Sequence, residues 1–310
     1  MDEARGVTSG LADVSREIGR VVGPTEGPTL IAVAGVHGNE PGGVLAARRV
    51  LARLEALRGE LRGAVVMLAG NVEALRQGRR YLARDLNRRW SDAALALPAD
   101  DPEDVEQRAL AGAIEAAVAQ ARGEVFLVDL HTTSAPGVPF VIFGDTERQR
   151  RFVFELPVPL LLGLAAHIDG TLSEYWRHRG LVTLAIEGGQ HDDPRAVDNL
   201  AAALWVSLAS AGNLAHSNAP EVEAAKRLLD TQRGALPRVI EVLSRRAITA
   251  DDRFVMEPGF ANLAPAREGQ LLARDRDGEI RAPHDGVVIL PLYQALGSDG
   301  YFWGRAHAHG

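Results

Sequence analysis

The chain has 310 residues, 46% of them hydrophobic, with a formal net charge of -7 and no cysteine. A chain of this length buries a substantial core, and one large domain with a smaller one beside it is the expectation. The acidic balance without a basic stripe argues against a nucleic-acid partner, and the lack of thiols leaves any metal to nitrogen and oxygen ligands.

The start, Met1-Asp2-Glu3-Ala4-Arg5, is acidic with no apolar stretch behind it. No run approaches the roughly 18 apolar residues of a membrane span, so a cytoplasmic protein without membrane contact is expected. Thr29–Ala34 is a continuous apolar run that reads as a buried strand, and it leads into Gly35-Val36-His37-Gly38-Asn39-Glu40. Pro41–Leu57 has helical apolar spacing, with Pro41 suited to the first turn. Ala64–Ala69 is a second buried strand, closed by Gly70-Asn71, and Pro102–Ala121 is an alanine-rich helix with acidic residues in its first turn. Glu124–Leu130 is another strand and runs into His131. Phe140–Phe143, Val158–Leu162 and Val182–Ile186 follow, the last ending in Glu187-Gly188-Gly189, and a helix covers Pro194–Ser210.

Runs buried on both faces and separated by helices indicate an α/β architecture with a mostly parallel sheet. In such sheets ligands bind beyond the carboxyl ends of the strands. The loops after Ala34, Leu130 and Ile186 all begin there, so their polar side chains can converge. The texture changes after Ala211. Ser217–Leu229 reads as one more helix, and from Arg238 onward short β-like pieces are cut by proline and glycine. The expected division is a catalytic domain over 1–214 and a smaller β-rich C-terminal domain over 215–310 that covers the cleft.

His37 and Glu40 lie in a glycine-rich turn entering a helix, and His131 stands at a strand end. Two imidazoles and one carboxylate, with a fourth position left to water, are the ligand set of an open hydrolytic zinc site. Glu187 supplies a spare carboxylate. Each piece alone has a plainer reading: Glu40 suits a helix N-terminus, and a strand-end histidine is often only hydrogen-bonded. The terminal His307 and His309 form a pair that is more often chemically idle.

Four segments in this order carry a resemblance: Gly-Val-His-Gly-Asn-Glu over 35–40, Arg-Tyr-x-x-x-Asp-Leu-Asn-Arg over 80–88, Asp-Leu-His-Thr-Thr over 129–133, and Ile-Glu-Gly-Gly over 186–189. Together they resemble the succinylglutamate desuccinylase/aspartoacylase family, a branch of the zinc carboxypeptidase-like hydrolases. The resemblance spans most of the first 190 residues. It implies a mostly parallel or mixed central sheet flanked by helices, and one Zn²⁺ per chain on His37, Glu40 and His131. It further implies that Glu187 is the general base and later the general acid, and that Arg80 polarises the scissile carbonyl. Asn87 and Arg88 match the pair that holds a substrate carboxylate. Asp85 matches a carboxylate that orients a ligand histidine; Asp129 either does the same or is structural. Arg177, or its near neighbour Arg179, matches an arginine for a second substrate carboxylate. The family also brings a tyrosine from the β-rich part toward the oxyanion, here Tyr301 or alternatively Tyr293. Ser173 stands where aspartoacylases have a substrate-contacting tyrosine, which speaks against human-type aspartoacylase specificity.

The leading expectation is therefore a zinc-dependent amidohydrolase, a deacylase whose small-molecule partner is an N-acyl amino acid. A carboxypeptidase acting on peptides would use the same metal, base and carboxylate pair. A non-catalytic binding protein on the same scaffold is the third reading. The acyl group and the amino acid stay open, as does a homodimer.

Overall fold

The computed structural model describes residues 11–215 and 220–307, so the acidic start, Ser217 and His309 lie outside the described residues. Side chains that alternate between two buried faces organise the central sheet. In β2 (Thr25–Ala34), Leu30, Ala32 and Ala34 enter one core while Ile31 and Val33 enter another. Both faces are apolar because both are covered, as the continuous hydrophobic run anticipates.

β2 lies between β3 (Arg62–Ala69) and β4 (Val125–Thr133), and β4 is followed by β7 (Val182–Gln190), all four strands parallel. β1 (Glu17–Val22) closes one edge, antiparallel to β3. Beyond β7 the sheet continues through β5 (Phe140–Ile142, antiparallel to β7), β6 (Leu160–Leu162) and β8 (Val239–Ala247). It then runs antiparallel through β14 (Asp299–Ala306), β13 (Gly286–Ile289) and β10 (Ala264–Ala266), giving eleven strands in one mixed sheet. The β-rich C-terminal strands thus extend the main sheet. A second sheet of β12 (Gly278–Arg281), β11 (Leu271–Asp275) and β9 (Val255–Met256) packs against them. The expected boundary near residue 214 falls in the connection between two helices.

Helices cover the parallel strands. On one face lie α1 (Gly42–Ala56), α5 (Glu147–Val153), α7 (Pro194–Ala211) and α8 (Pro220–Arg233). On the other lie α4 (Pro102–Gln120) and α6 (Leu172–Arg177), whose Leu110, Ile114, Leu172 and Trp176 pack on Ile31, Val33 and Leu127. Pro102 opens α4, and the Asp101 side chain caps it by accepting from the Asp104 N–H at 2.9 Å. Two short helices, α2 (Val72–Gln77) and α3 (Asp92–Ala96), complete the set. Periodicity does not foretell α2, α3, α5 or α6, since five to seven residues make too few turns for an apolar stripe. Among the described residues, no helix is long and apolar enough to cross a membrane.

Candidate active site

Parallel strands that share a register bring their ends to one rim. His131 of β4 is the register partner of Glu187 of β7, so these side chains are neighbours on adjacent strands. His37 and Glu40 come from the turn after β2. That turn is tight: Gly35 has φ +70°, and a Cβ on Gly38 would lie 2.1 Å from the Ala74 carbonyl carbon. The glycines let the turn sit on α2 and the loop after it, where the Gly38 N–H donates to the Arg80 carbonyl at 3.1 Å.

His37 Nδ1 lies 2.8 Å from Glu40 Oε1, and His131 Nδ1 lies 3.2 Å from Glu40 Oε2. One ligand atom from each of the three residues lies within 4.8 Å of the others, and all three residues are buried. The far side of each ring is backed by a carboxylate: His37 Nε2 is 3.0 Å from Asp85 Oδ1, and His131 Nε2 is 3.0 Å from Asp129 Oδ2. Nδ1 of both rings therefore turns inward. A buried nitrogen and oxygen set whose imidazoles are oriented from behind fits a divalent cation of the zinc type.

Burial disfavours charge on His131, but Asp129 and Glu40 override it and hold the imidazolium well above its usual range. Burial likewise opposes ionisation of Glu40, and His37 and His131 nevertheless hold it well below the carboxylate range. The Thr132 N–H also donates to Glu40 Oε2, at 2.9 Å. Asp85 follows the same pattern: burial opposes its charge, while His37, Arg80 and Arg88 pull its pKa down. Glu187 behaves in the opposite way. Burial, reinforced by Glu40 and Asp129, pushes it up to about 8. Its Oε2 is buried and has no hydrogen-bond partner.

These residues line a cleft of about 1060 Å³, its open mouth included. Arg80, Asn87 and Arg88 line it too. The Arg80 Nη2 donates to Asp85 Oδ2 at 3.1 Å, and its Nη1 lies 3.5 Å from Glu40 Oε1. Asn87 is held by the Leu172 N–H, which donates to its Oδ1 at 2.8 Å. Arg88 donates to Asp299 Oδ2 at 2.7 Å.

Two expected substrate contacts are not brought to the cleft. Tyr301 and Phe302 are adjacent on β14 and so point to opposite faces. Phe302 lines the cleft, whereas Tyr301 packs among Met256, Phe260 and Trp303 with its ring 6.4 Å from Phe254. The alternative, Tyr293, turns its hydroxyl away and donates it to the Glu257 carbonyl at 2.7 Å. Arg177 is likewise absent from the lining because its guanidinium is held by Glu174. Arg179 pairs with Asp92 and stacks on Tyr175, 3.6 Å from the ring centre.

Other residues emerge only in three dimensions. The buried Glu103 accepts from the N–H groups of Leu82, Ala83 and Arg84 at 2.7, 2.9 and 3.2 Å, and from Asn71 Nδ2 at 3.1 Å. It pins the loop that carries Arg80, Asp85 and Asn87. Nothing in the spacing of an acidic first helical turn marks it out. His191 lines the cleft with Nδ1 2.8 Å from Thr132 Oγ1, and Asp299 aligns Arg88.

Residues 26–191 match the Succinylglutamate desuccinylase/Aspartoacylase catalytic domain. A succinylglutamate desuccinylase from Burkholderia pseudomallei is 29% identical over 275 residues, 84% of this chain and 74% of that one. An N-acyl-aromatic-L-amino acid amidohydrolase (carboxylate-forming) from Xenopus laevis is 32% identical over 118 residues, 37% of this chain and 38% of that one. The crystal structure of the succinylglutamate desuccinylase from Chromobacterium violaceum shares the fold, with TM-score 0.64, 17% identity and 97% of both chains covered. With more than half of its residues inside the catalytic-domain match, the chain belongs to the succinylglutamate desuccinylase/aspartoacylase family.

Proposed function

We propose that this protein is a zinc-dependent hydrolase that cleaves the amide bond of small N-acyl amino acids. The observation that carries the reading is the convergence of His37, Glu40 and His131 within 4.8 Å beside a buried, unpaired carboxyl oxygen of Glu187. The names of the relatives, a succinylglutamate desuccinylase and an N-acyl-aromatic-L-amino acid amidohydrolase, both describe removal of an acyl group from an amino acid.

His37, Glu40 and His131 hold one Zn²⁺ in this reading, with Asp85 and Asp129 fixing the two rings. When bound, the ion supplies Lewis acidity, which brings the pKa of a water to about 7 and polarises a carbonyl. Glu187 accepts a proton at Oε2 from the attacking water and delivers it to the departing amine nitrogen. A carboxyl lifted to about 8 by burial, and drawn back by a nearby cation, suits a group that must both take and give a proton near neutrality. Arg80 faces the negative charge that develops on the carbonyl oxygen. Asn87 and Arg88 receive the substrate α-carboxylate, with Asp299 aligning the guanidinium fork. Leu290, Leu292 and Asp299 wall one side of the cleft. In this reading the C-terminal β-rich segment that carries them confines the site to small substrates in place of peptides.

The test is metal content and substrate choice together. The pure protein is expected to carry about one zinc per chain, to lose activity with a chelator, and to regain it with zinc. It is expected to hydrolyse N-acyl amino acids and to leave blocked dipeptides intact. Activity indifferent to metal stripping, or confined to peptides, overturns the reading.

A further inference from the structure

Glu174 and Arg177 stand three residues apart on α6, a spacing that stacks their side chains on one helix face. Arg177 Nε donates to both Glu174 carboxylate oxygens at 3.0 and 2.9 Å, and Nη2 donates to Oε2 at 2.7 Å. His178 Nε2 lies 2.9 Å from the same Nη2. Glu174 lines the cleft and Arg177 does not. The arginine lies directly behind the wall: a Cβ on Gly144, a lining residue, would fall 2.5 Å from Arg177 Cδ. The cation behind this wall of the cleft is thus paired with the very carboxylate that faces a ligand.

Among the described residues, no other lining arginine is free to serve this arm. Arg80 is matched by Glu40 and Asp85, and Arg88, aligned by Asp299, is already assigned to the substrate α-carboxylate. Ile142, Phe143 and Ile168 share the remaining wall with the uncharged Thr171, Ser173 and Thr183. A second carboxylate on a ligand would meet Glu174 as a like charge with no cation facing it, an arrangement that discriminates strongly between partners.

We propose that Glu174 sets specificity by masking Arg177, so that this arm takes an uncharged, apolar group and the preferred substrates are N-acyl amino acids with a single carboxylate. The inference rests on the N-acyl amino acid reading above and narrows it. It separates this chain from an enzyme built for an acidic acyl group or an acidic amino acid.

The experiment compares kcat/KM of the zinc-loaded wild type for N-acetyl-leucine and N-acetylaspartate. A preference for N-acetyl-leucine on the order of 100-fold is expected. Glu174→Gln keeps the shape, removes the charge and releases Arg177, and is expected to shift the ratio about 10-fold or more toward N-acetylaspartate. Adding Arg177→Gln to that variant cancels the gain. A wild type that prefers N-acetylaspartate, or a ratio that Glu174→Gln does not move, overturns the proposal while leaving the hydrolase reading intact. Calorimetric binding of the same two compounds to the zinc-loaded Glu187→Gln variant repeats the comparison without turnover. If the wild type turns over neither N-acetyl compound, the binding comparison alone decides. Tighter N-acetyl-leucine supports the role of Glu174; tighter N-acetylaspartate, or no binding of either, defeats it.

Discussion

At the metal corner of the cleft, charged side chains from three strand ends and one pinned loop are aimed at a common centre. At the opposite arm, the ion pair of Glu174 with Arg177 closes upon itself among uncharged side chains. The first arrangement leaves buried carboxylates competing for imidazole protons, a set that could hold a divalent cation. The second is already electrically satisfied and offers a ligand shape more than charge. The corner is also the more rigidly mounted of the two. His131 and Glu187 stand on buried strands, whereas Glu174 rides on a six-residue helix between loops. On the proposed reading, the chemistry is built into the sheet and the substrate preference into a short helix.

The sharpest way to break this contrast is at Glu187. Glu187→Gln is expected to retain zinc while kcat falls by a factor on the order of 10²–10⁴, the usual worth of a general base. A variant with near-wild-type turnover would remove Glu187 from the reaction. The same substitution has a signature in the metal-free protein. The Glu187 carboxyl is raised from 4.5 to about 8 in the folded state, so between those values the native chain keeps a proton that the unfolded chain releases. This group's contribution to stability therefore declines as pH rises from about 5 to about 8 and levels off above. Denaturation of metal-free wild type and Glu187→Gln across that range is expected to show a steeper decline in the wild type, the remainder in the variant coming from His131.

A smaller effect is expected at Asp85, which touches His37 and Arg80 and acts through them. Asp85→Ala is expected to weaken zinc binding about 10- to 100-fold, read by competition with a chromophoric chelator. Unchanged affinity would mean that the His37 ring needs no orientation. The smallest effect is expected at Glu103, remote from the metal. Glu103→Ala leaves the N–H groups of Leu82, Ala83 and Arg84 unpaired and is expected to cost roughly 2–3 kcal/mol of stability by urea unfolding. It is also expected to raise KM, because the loop bearing Asn87 and Arg88 loosens. If stability falls with KM unchanged, the loop does not depend on its anchor.

The long strands and helices could be read from the chain because burial writes itself into periodicity. Thr29–Ala34, Ala64–Ala69 and Val182–Ile186 all lie within the observed β2, β3 and β7. The His37, Glu40, His131 and Glu187 set was legible for a related reason: in parallel sheets, strand ends share a rim, and the chemistry follows the last apolar residue. The edge strand β1 and the short helices left weak patterns, since edge positions and brief elements impose few apolar positions.

Residue types and order were enough to single out His37, Glu40, His131 and Glu187 and to name the family, because donor side chains at parallel strand ends share one rim. Which way a side chain faces is another matter. Tyr301 and Phe302 exchange roles by a single step along a strand, and Arg177 is spoken for by a carboxylate one helical turn away. Orientation and charge pairing arise from packing among distant segments, and only the folded molecule decides them.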